Sequence, residues 1–156
     1  MSLQQMVDAF LAERRVAVAG VSRGTTSAAN PIYRRLRAAG YEVFPVNPNA
    51  DTVEGDRCYA DVASIPGGVG AVMVATHPNQ SAGVLRECAA LGIRHVWLHR
   101  AFGQGSVSRE AVDAGREAGL EVIDGACPMM YLAPVDFGHR CIRFILGVTG
   151  KLPKPA

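Results

Sequence analysis

The chain has 156 residues, 49% of them hydrophobic, and a formal net charge of only +2 at pH 7. This length suits one domain with a sizeable core, and the small charge leaves no electrostatic footprint for nucleic acid. No apolar run approaches the roughly 20 residues that span a bilayer, and the four cysteines lack the Cys-x-x-Cys spacing of zinc ribbons or thioredoxin-type motifs. We therefore expect a cytoplasmic protein with reduced thiols and with no nucleic-acid or membrane partner.

The chain begins with an amphipathic segment and continues with five apolar runs. Residues 1–13 alternate polar and apolar side chains and include Asp8, which predicts a helix rather than a signal peptide. Most of the apolar runs are short and rich in β-branched residues, as buried parallel strands are. They predict strands at 16–19, 42–46, 71–75, 95–98 and 121–123.

The helical segments between the strands have recognisable ends. Asn30 is a good N-cap and Pro31 suits the first helical position, while Gly40 suits the left-handed residue that follows a helix. Further helices are predicted at 79–91 before Gly92, at 106–118 between a Ser106 cap and Gly119, and at 136–149, followed by a flexible tail at 151–156.

The alternation of strands and helices predicts an α/β fold. Strand–helix–strand units of this length cross over right-handed and build a parallel sheet with helices on both faces. We therefore expect one Rossmann-like domain over residues 1–150, with a doubly wound parallel five-stranded sheet and an added C-terminal helix. The expected strand order is 3-2-1-4-5.

The loop after the first strand, residues 20–30, is the most informative segment. Ligands of such sheets bind beyond the carboxyl ends of the strands, where the strand order reverses. The loop lacks the Gly-x-Gly-x-x-Gly spacing of dinucleotide sites, since Gly20 and Gly24 are its only glycines. It instead supplies backbone N–H groups, Arg23 and four hydroxyls, which favour an anion at a helix N-terminus, unless it is a plain polar connector. The hydroxyls are those of Ser22, Thr25, Thr26 and Ser27.

The loop after the second strand carries an amide where an NAD site needs an acid. Asn47 stands between Pro45 and Pro48, at the position whose carboxylate would accept hydrogen bonds from the ribose hydroxyls of NAD. The amide therefore favours an adenine edge or a phosphorylated ribose, although Asn and Pro also build ordinary turns.

Two further loops meet at the same edge of the predicted sheet. The third places His77 at the mouth of the site, where a lone histidine is more often a hydrogen-bonded structural group than a catalyst. The fourth contains Trp97, which suits the core, then His99, and then Arg100, which suits a phosphate or a surface carboxylate. The glycine-rich stretch "PGGVG" at 66–70 precedes a strand instead of following one, so it predicts a turn.

Several of these segments resemble a known family. "GVSR", "GYEVFPVNPN", "GAVMVATHP", "GIRHVWLH" and "AGLEVIDGACP" are similar to the CoA-binding domain family of small stand-alone bacterial proteins, over roughly residues 14–133. The same domain resembles the N-terminal half of the succinyl-CoA synthetase α subunit. The resemblance implies a Rossmann-like fold and coenzyme A as the ligand.

The resemblance also implies a site. The first loop would wrap the pyrophosphate of CoA, the second would border its adenosine, and the third would close over the adenine or the start of the pantetheine arm. The residues concerned are Gly20, Val21, Ser22, Arg23, Thr25 and Thr26 in the first loop, Pro45, Val46, Asn47 and Pro48 in the second, and Thr76, His77 and Pro78 in the third.

The chain departs from the synthetase subunit in ways that concern activity. His99-Arg100-Ala101 stands where that subunit has a Thr-Glu-Gly stretch, and we expect no room for a phosphohistidine domain. We therefore favour a CoA-binding module or ligand sensor without chemistry of its own. The alternative is a small nicotinamide-dependent or acyl-CoA-handling enzyme, in which Cys127 exchanges with the CoA thiol. Zinc at Cys127, His139 and Cys141 lacks an evident fourth ligand.

The C-terminal segment raises the question of a partner. No acidic residue follows Asp136, and the predicted helix has an apolar stripe. One interpretation packs this helix on the sheet with its basic face in water. The others are a homodimer contact and a docking site for an acidic partner. The basic residues are Arg140, Arg143, Lys151 and Lys154, and the stripe is Phe137, Cys141, Phe144, Ile145 and Val148.

Overall fold

A computed structural model of the protein describes residues 1–24 and 26–155. Five parallel strands form the central sheet, and the predicted α/β, Rossmann-like class is confirmed. The strands are β1 (Arg15–Ala19), β2 (Glu42–Val46), β3 (Ala71–Val74), β4 (His95–Leu98) and β5 (Glu121–Asp124). The helices are α1 (Leu3–Ala12), α2 (Ala29–Ala38), α3 (Pro78–Ala90), α4 (Arg109–Glu117) and α5 (Phe137–Val148), and a short 3₁₀ helix spans Pro128–Met130.

The strand order is β2-β1-β3-β4-β5, so the predicted order 3-2-1-4-5 is wrong in one respect. The third strand pairs with β1 and not with β2, which lies at the edge. Pro45 gives the physical reason. Its carbonyl accepts the N–H of Tyr59 on the side away from β1, and on that side it has no N–H to offer another strand. Proline in a strand is confined to edges or bulges for this reason.

Apolar side chains cover both faces of the sheet. One cluster joins α1, α2 and α5 to the sheet and includes Phe10, Leu36 and Trp97. The other joins α3 and α4 to the opposite face and includes Leu85. Trp97 is fully buried, packs with Phe10 in a T-shaped pair at 5.3 Å between ring centroids, and donates its indole N–H to the Gly125 carbonyl. It therefore belongs to the core, as its position in a strand suggested.

Two predicted helix starts are wrong, whereas the predicted stops hold. α2 begins at Ala29, so Asn30 is inside its first turn and does not cap it. α4 begins at Arg109 with Ser108 as its N-cap, and Ser106 is buried before it. The Asn30 amide binds Ser22 instead of capping the helix. At α4 the Ser108 hydroxyl accepts the N–H of Ala111, so Ser108 is the cap, and the Ser106 carbonyl accepts the hydroxyl of Ser81. Gly40, Gly92 and Gly119 follow their helices with positive φ.

The apolar stripe of α5 faces outwards. Ile142 and Leu146 turn the helix towards the core, while Phe137, Phe144 and Val148 are 80%, 73% and 70% exposed. The helix therefore contacts the core through Ile142 and Leu146 and not through the predicted stripe. Self-association through α5 and the docking of an acidic partner stay predictions. In the part of the chain that the structure describes, no helix combines the length and hydropathy of a membrane span.

Candidate functional site

A cleft of about 520 Å³ opens where β1, β2 and β3 end. Its walls are the turn after β1, the loop after β2, the first turns of α3 and the connection that follows residue 59. The lining residues are Ala19, Gly20, Ser27, Val46, Asn47, Pro48, Asn49, Ala60, Asp61, Val62, Ala75, Thr76, His77, Gln80, Gly83, Val84 and Glu87. The volume lies within the 300–1,000 Å³ of typical small-molecule sites.

The floor of the cleft needs a glycine at position 20. Gly20 donates its N–H to the Val46 carbonyl, which ties the turn after β1 to the end of β2. Its φ is +103°, and a Cβ built there would lie 2.4 Å from the Ala75 carbonyl oxygen. Both the conformation and the close approach of backbone exclude a side chain. The turn after β1 therefore lies directly on the end of β3.

The side chain of Asn47 links the loop after β1 to the loop after β2 by hydrogen bonds. Its Nδ2 donates to the Val21 carbonyl over 3.0 Å, and its Oδ1 accepts the N–H of Asn49 over 2.8 Å. Both ends of the amide are therefore engaged within the protein. The side chain that was predicted to border the adenosine shapes the wall of the cleft by holding the loops after β1 and β2 together.

Asn30 organises the loop after β1, a role that its sequence position did not reveal. Its Oδ1 accepts the N–H of Ser22, and its Nδ2 donates to the Ser22 carbonyl and to Oε1 of Glu54. The residue is only 4% exposed. This buried amide fixes the middle of the loop against the first turn of α2 and against the short hairpin around Glu54.

Arg23 lies at the side of the cleft, in an adjoining depression of about 450 Å³. Its guanidinium donates to the Asn49 carbonyl over 3.2 Å, and no carboxylate pairs with it among the residues that the structure describes. Arg34 lines the same depression and forms a salt bridge with Glu54 at 2.6 Å. The exposed guanidinium of Arg23 therefore offers positive charge beside the loop after β1.

The structure brings together about half of the residues predicted from the sequence. Six line the cleft, and Ser22 and Arg23 line the adjoining depression. Val21 and Pro45 are buried beneath the loops, Thr26 is exposed, and Pro78 is the first residue of α3. Thr25 lies outside the described residues. The six lining residues are Gly20, Val46, Asn47, Pro48, Thr76 and His77.

One wall of the cleft consists of residues that were not predicted from the sequence. Asp61 and Val62 belong to a connection without regular structure, and Val84 and Glu87 lie in the second and third turns of α3. No local pattern marks these residues, because tertiary packing alone brings them together. The N–H of Ala63 donates to Glu87 Oε1 over 2.9 Å, which joins the connection to the helix.

The fourth loop does not reach the cleft. Arg100 donates to the Asp124 carbonyl and lies against Gly125. Burial lowers the pKa of His99 to about 4, with a smaller contribution from His139, so its imidazole is neutral at pH 7. Burial likewise raises the pKa of Cys127 to about 11, and the residue is 3% exposed. Cys127 thus lacks the thiolate character of a reactive cysteine.

Metal coordination was one alternative for this region. Over residues 1–24 and 26–155, no group of three or more His, Cys, Asp or Glu side chains is arranged to hold a metal ion. His139 instead bonds Asp136, the N-cap of α5, at 2.6 Å between Nδ1 and Oδ2.

Known proteins are similar to this chain in sequence and architecture. Residues 14–133 match a family described as "CoA binding domain". "Uncharacterized protein YneT" of Bacillus subtilis (strain 168) is 30% identical over 114 residues, which are 73% of this chain and 82% of that protein. "Acetate--CoA ligase [ADP-forming] II subunit alpha" of Pyrococcus furiosus is 27% identical over 129 residues, 78% of this chain but 28% of the ligase subunit. A "hypothetical protein from Pyrococcus horikoshii OT3" has a similar structure, with a TM-score of 0.74 and 26% identity over 83% of this chain and 88% of that one.

Proposed function

Because the chain belongs to the CoA binding domain family, we propose that it binds coenzyme A or an acyl-CoA in the cleft at the ends of β1, β2 and β3. The observation that carries the proposal is the cleft of about 520 Å³ that begins at the turn after β1. The protein acts in this proposal as a binding module or ligand sensor and supplies no catalytic group of its own.

The loop after β1 suits the pyrophosphate of CoA. Ala28, the N-cap of α2, makes no side-chain hydrogen bond to the helix, and the first turn has no acidic residue. Helix N-termini carry a partial positive charge and spare N–H groups, which favour anions. Arg23 adds a full positive charge beside this loop. We assign the 3′-phosphate or the pyrophosphate to its guanidinium.

The end of β2 disfavours NAD. An NAD site needs a carboxylate there to accept hydrogen bonds from the ribose diol. This chain has Asn47, whose amide already bonds Val21 and Asn49. The end of β2 thus lacks the carboxylate that would select a free ribose diol, and a phosphorylated ribose does not need that carboxylate.

An acyl-transfer enzyme has less support than a binding module. Cys127 is buried and protonated at neutral pH, since burial raises its pKa to about 11. His99 does not line the cleft. The chain also spans only 28% of the ligase subunit that it resembles, so the ligase reaction is not carried over to it.

A thermal-shift series with CoA, NAD, NADP and ATP at equal concentrations tests the proposal. A ligand present at 100 times its Kd stabilises the folded state by about 2.7 kcal/mol, which raises the Tm of a domain of this size by about 5–10 °C. We expect this shift for CoA. A shift with NAD or NADP and none with CoA would refute the proposal and favour a nicotinamide-dependent enzyme.

Arginine variants add a matched control to this series. Arg23→Ala is expected to weaken CoA binding about tenfold, because it removes a charge-assisted hydrogen bond to phosphate. Arg109→Ala removes the same charge from an exposed position on α4, where it pairs with Asp113, and should leave the affinity unchanged. Equal affinities for the two variants would remove Arg23 from the site.

A further inference from the structure

Two carboxylates line the part of the cleft that lies along α3. Glu87 Oε1 accepts the N–H of Ala63 over 2.9 Å, and Asp61 Oδ1 accepts the N–H of Ser64 over 2.8 Å. Because these two amides are consecutive in the chain, the carboxylates are held near each other. Both line the cleft. They form a fixed acceptor edge that does not depend on a bound ligand.

This acceptor edge is distant from the phosphate end. α3 starts at the carboxyl edge of the sheet, with His77 as its N-cap. At 1.5 Å per residue, Glu87 lies about 15 Å further along the helix axis. The cleft therefore runs from the turn after β1, down the face of the sheet, to the carboxylates.

Charge fixes the direction in which a nucleotide lies in this cleft. Of the residues that line it, none is Lys or Arg, and Asp61 and Glu87 are its only acids. A phosphate is repelled from the acidic end and attracted to Arg23 and the N-terminus of α2. The acidic end accepts hydrogen bonds, so it suits a group that presents N–H donors.

We infer that Asp61 and Glu87 recognise the exocyclic amino group of the adenine base. The inference rests on the proposed function, which supplies the adenine nucleotide. Adenine carries an N6 amino donor, and no hydrogen bond to Oδ2 of Asp61 or Oε2 of Glu87 is formed by the described residues. Val46, Val62 and Val84 line the same cleft and provide apolar surface for the faces of the base.

Calorimetric titration with CoA and with 1,N6-etheno-CoA tests this inference. The etheno bridge removes the N6–H donors and leaves the phosphates and the pantetheine arm unchanged. A hydrogen bond to a charged acceptor separates the two ligands by about tenfold or more in Kd. We therefore expect the protein to prefer CoA by at least about tenfold. Equal affinities would overturn the inference while the proposed function stands, whereas no binding of either ligand would refute both.

The double variant Asp61→Asn/Glu87→Gln separates recognition from charge. Each amide oxygen can still accept the bond from Ser64 or Ala63, so the fold is retained. The preference for CoA over etheno-CoA should disappear, and because it is a ratio, it is insensitive to the general effect of removing two negative charges. Glu117→Gln, on the exposed surface of α4, should keep the ratio of the unmodified protein. A double variant that keeps the full preference would also overturn the inference.

Discussion

Asn47→Asp tests the bridge between the loops after β1 and β2. The aspartate keeps the acceptor for the Asn49 N–H, but it loses the donor that bonds the Val21 carbonyl over 3.0 Å. Val21 is fully buried, so its carbonyl faces a carboxylate oxygen instead of water. A lost hydrogen bond costs about 1 kcal/mol, and a buried polar group left unsatisfied costs about 1–3 kcal/mol. We expect the free energy of unfolding to fall by about 2 kcal/mol and the Tm by about 4–8 °C.

Urea unfolding followed by the fluorescence of Trp97 measures this loss. Asn49→Asp is the matched control, because it adds the same charge two residues away in the same cleft. No side-chain hydrogen bond of Asn49 occurs among the described residues, so its unfolding free energy should change by less than about 0.5 kcal/mol. Equal stability of the two variants would refute the bridging role of Asn47.

The pH dependence of Asn47→Asp gives an independent check. The Val21 carbonyl disfavours the ionised carboxylate and favours the protonated form, which can donate to it, so the pKa in the folded state is raised above the unfolded value of about 3.9. The loss of unfolding free energy relative to the unmodified protein is therefore largest above the folded-state pKa, and it decreases as the pH falls through that pKa. An equal loss of unfolding free energy at pH 4 and at pH 7 would contradict the proposed geometry.

Three further predictions concern single residues. Gly20→Ala should destabilise the protein by about 2 kcal/mol or more, because φ is +103° and the added Cβ would lie 2.4 Å from the Ala75 carbonyl oxygen. Gly83→Ala, in an open helical position, should stabilise the protein by about 0.5–1 kcal/mol. Denaturant titration measures the unfolding free energy of both variants, and equal effects would contradict the close approach at Gly20. The depressed pKa of His99, about 4, means that the unfolded chain takes up a proton below about pH 6.5 while the folded one does not, so stability falls by about 2 kcal/mol between pH 7 and pH 5. His99→Gln should remove this contribution from the pH profile, and an unchanged profile argues against it. Thiol titration of the native protein should leave Cys127 unmodified, because burial raises its pKa to about 11; a modified Cys127 identified by peptide mass spectrometry contradicts this.

The sequence predicted those elements that local signals determine. The five strands lie within a residue or two of the predicted ranges, because short β-branched runs indicate buried parallel strands. The helix stops at Gly40, Gly92 and Gly119 also hold. The strand order depends on which strands pair with each other, and the periodicity of the sequence does not encode that pairing. Pro45 did hold the information, since a proline inside a strand indicates an edge strand and disfavours a central position for β2.

In the candidate site, too, some residues could be predicted from the sequence and others could not. Gly20, Asn47 and His77 follow strands, so their place at the carboxyl edge could be predicted from topology alone. Asp61 and Glu87 are 26 positions apart in the chain and meet through the bond from Ala63 to the helix. A single sequence contains no signal for such a contact. The same reason explains Asn30, whose polar side chain suggested a cap but joins two loops from within the helix.

The contact between Gly20 and Ala75 restricts how ligand preference in this cleft can change. At this contact the backbone of Gly20 lies directly on the backbone of Ala75, so a substitution of Gly20 disturbs the fold and does not simply change ligand selectivity. New specificity, whether selected or designed, must therefore arise in the walls. The cleft-lining positions 48, 49, 60 and 61 are exposed or half-buried, so their side chains can be exchanged without disturbing the strand ends. They are the places to diversify in a library that seeks new nucleotide ligands.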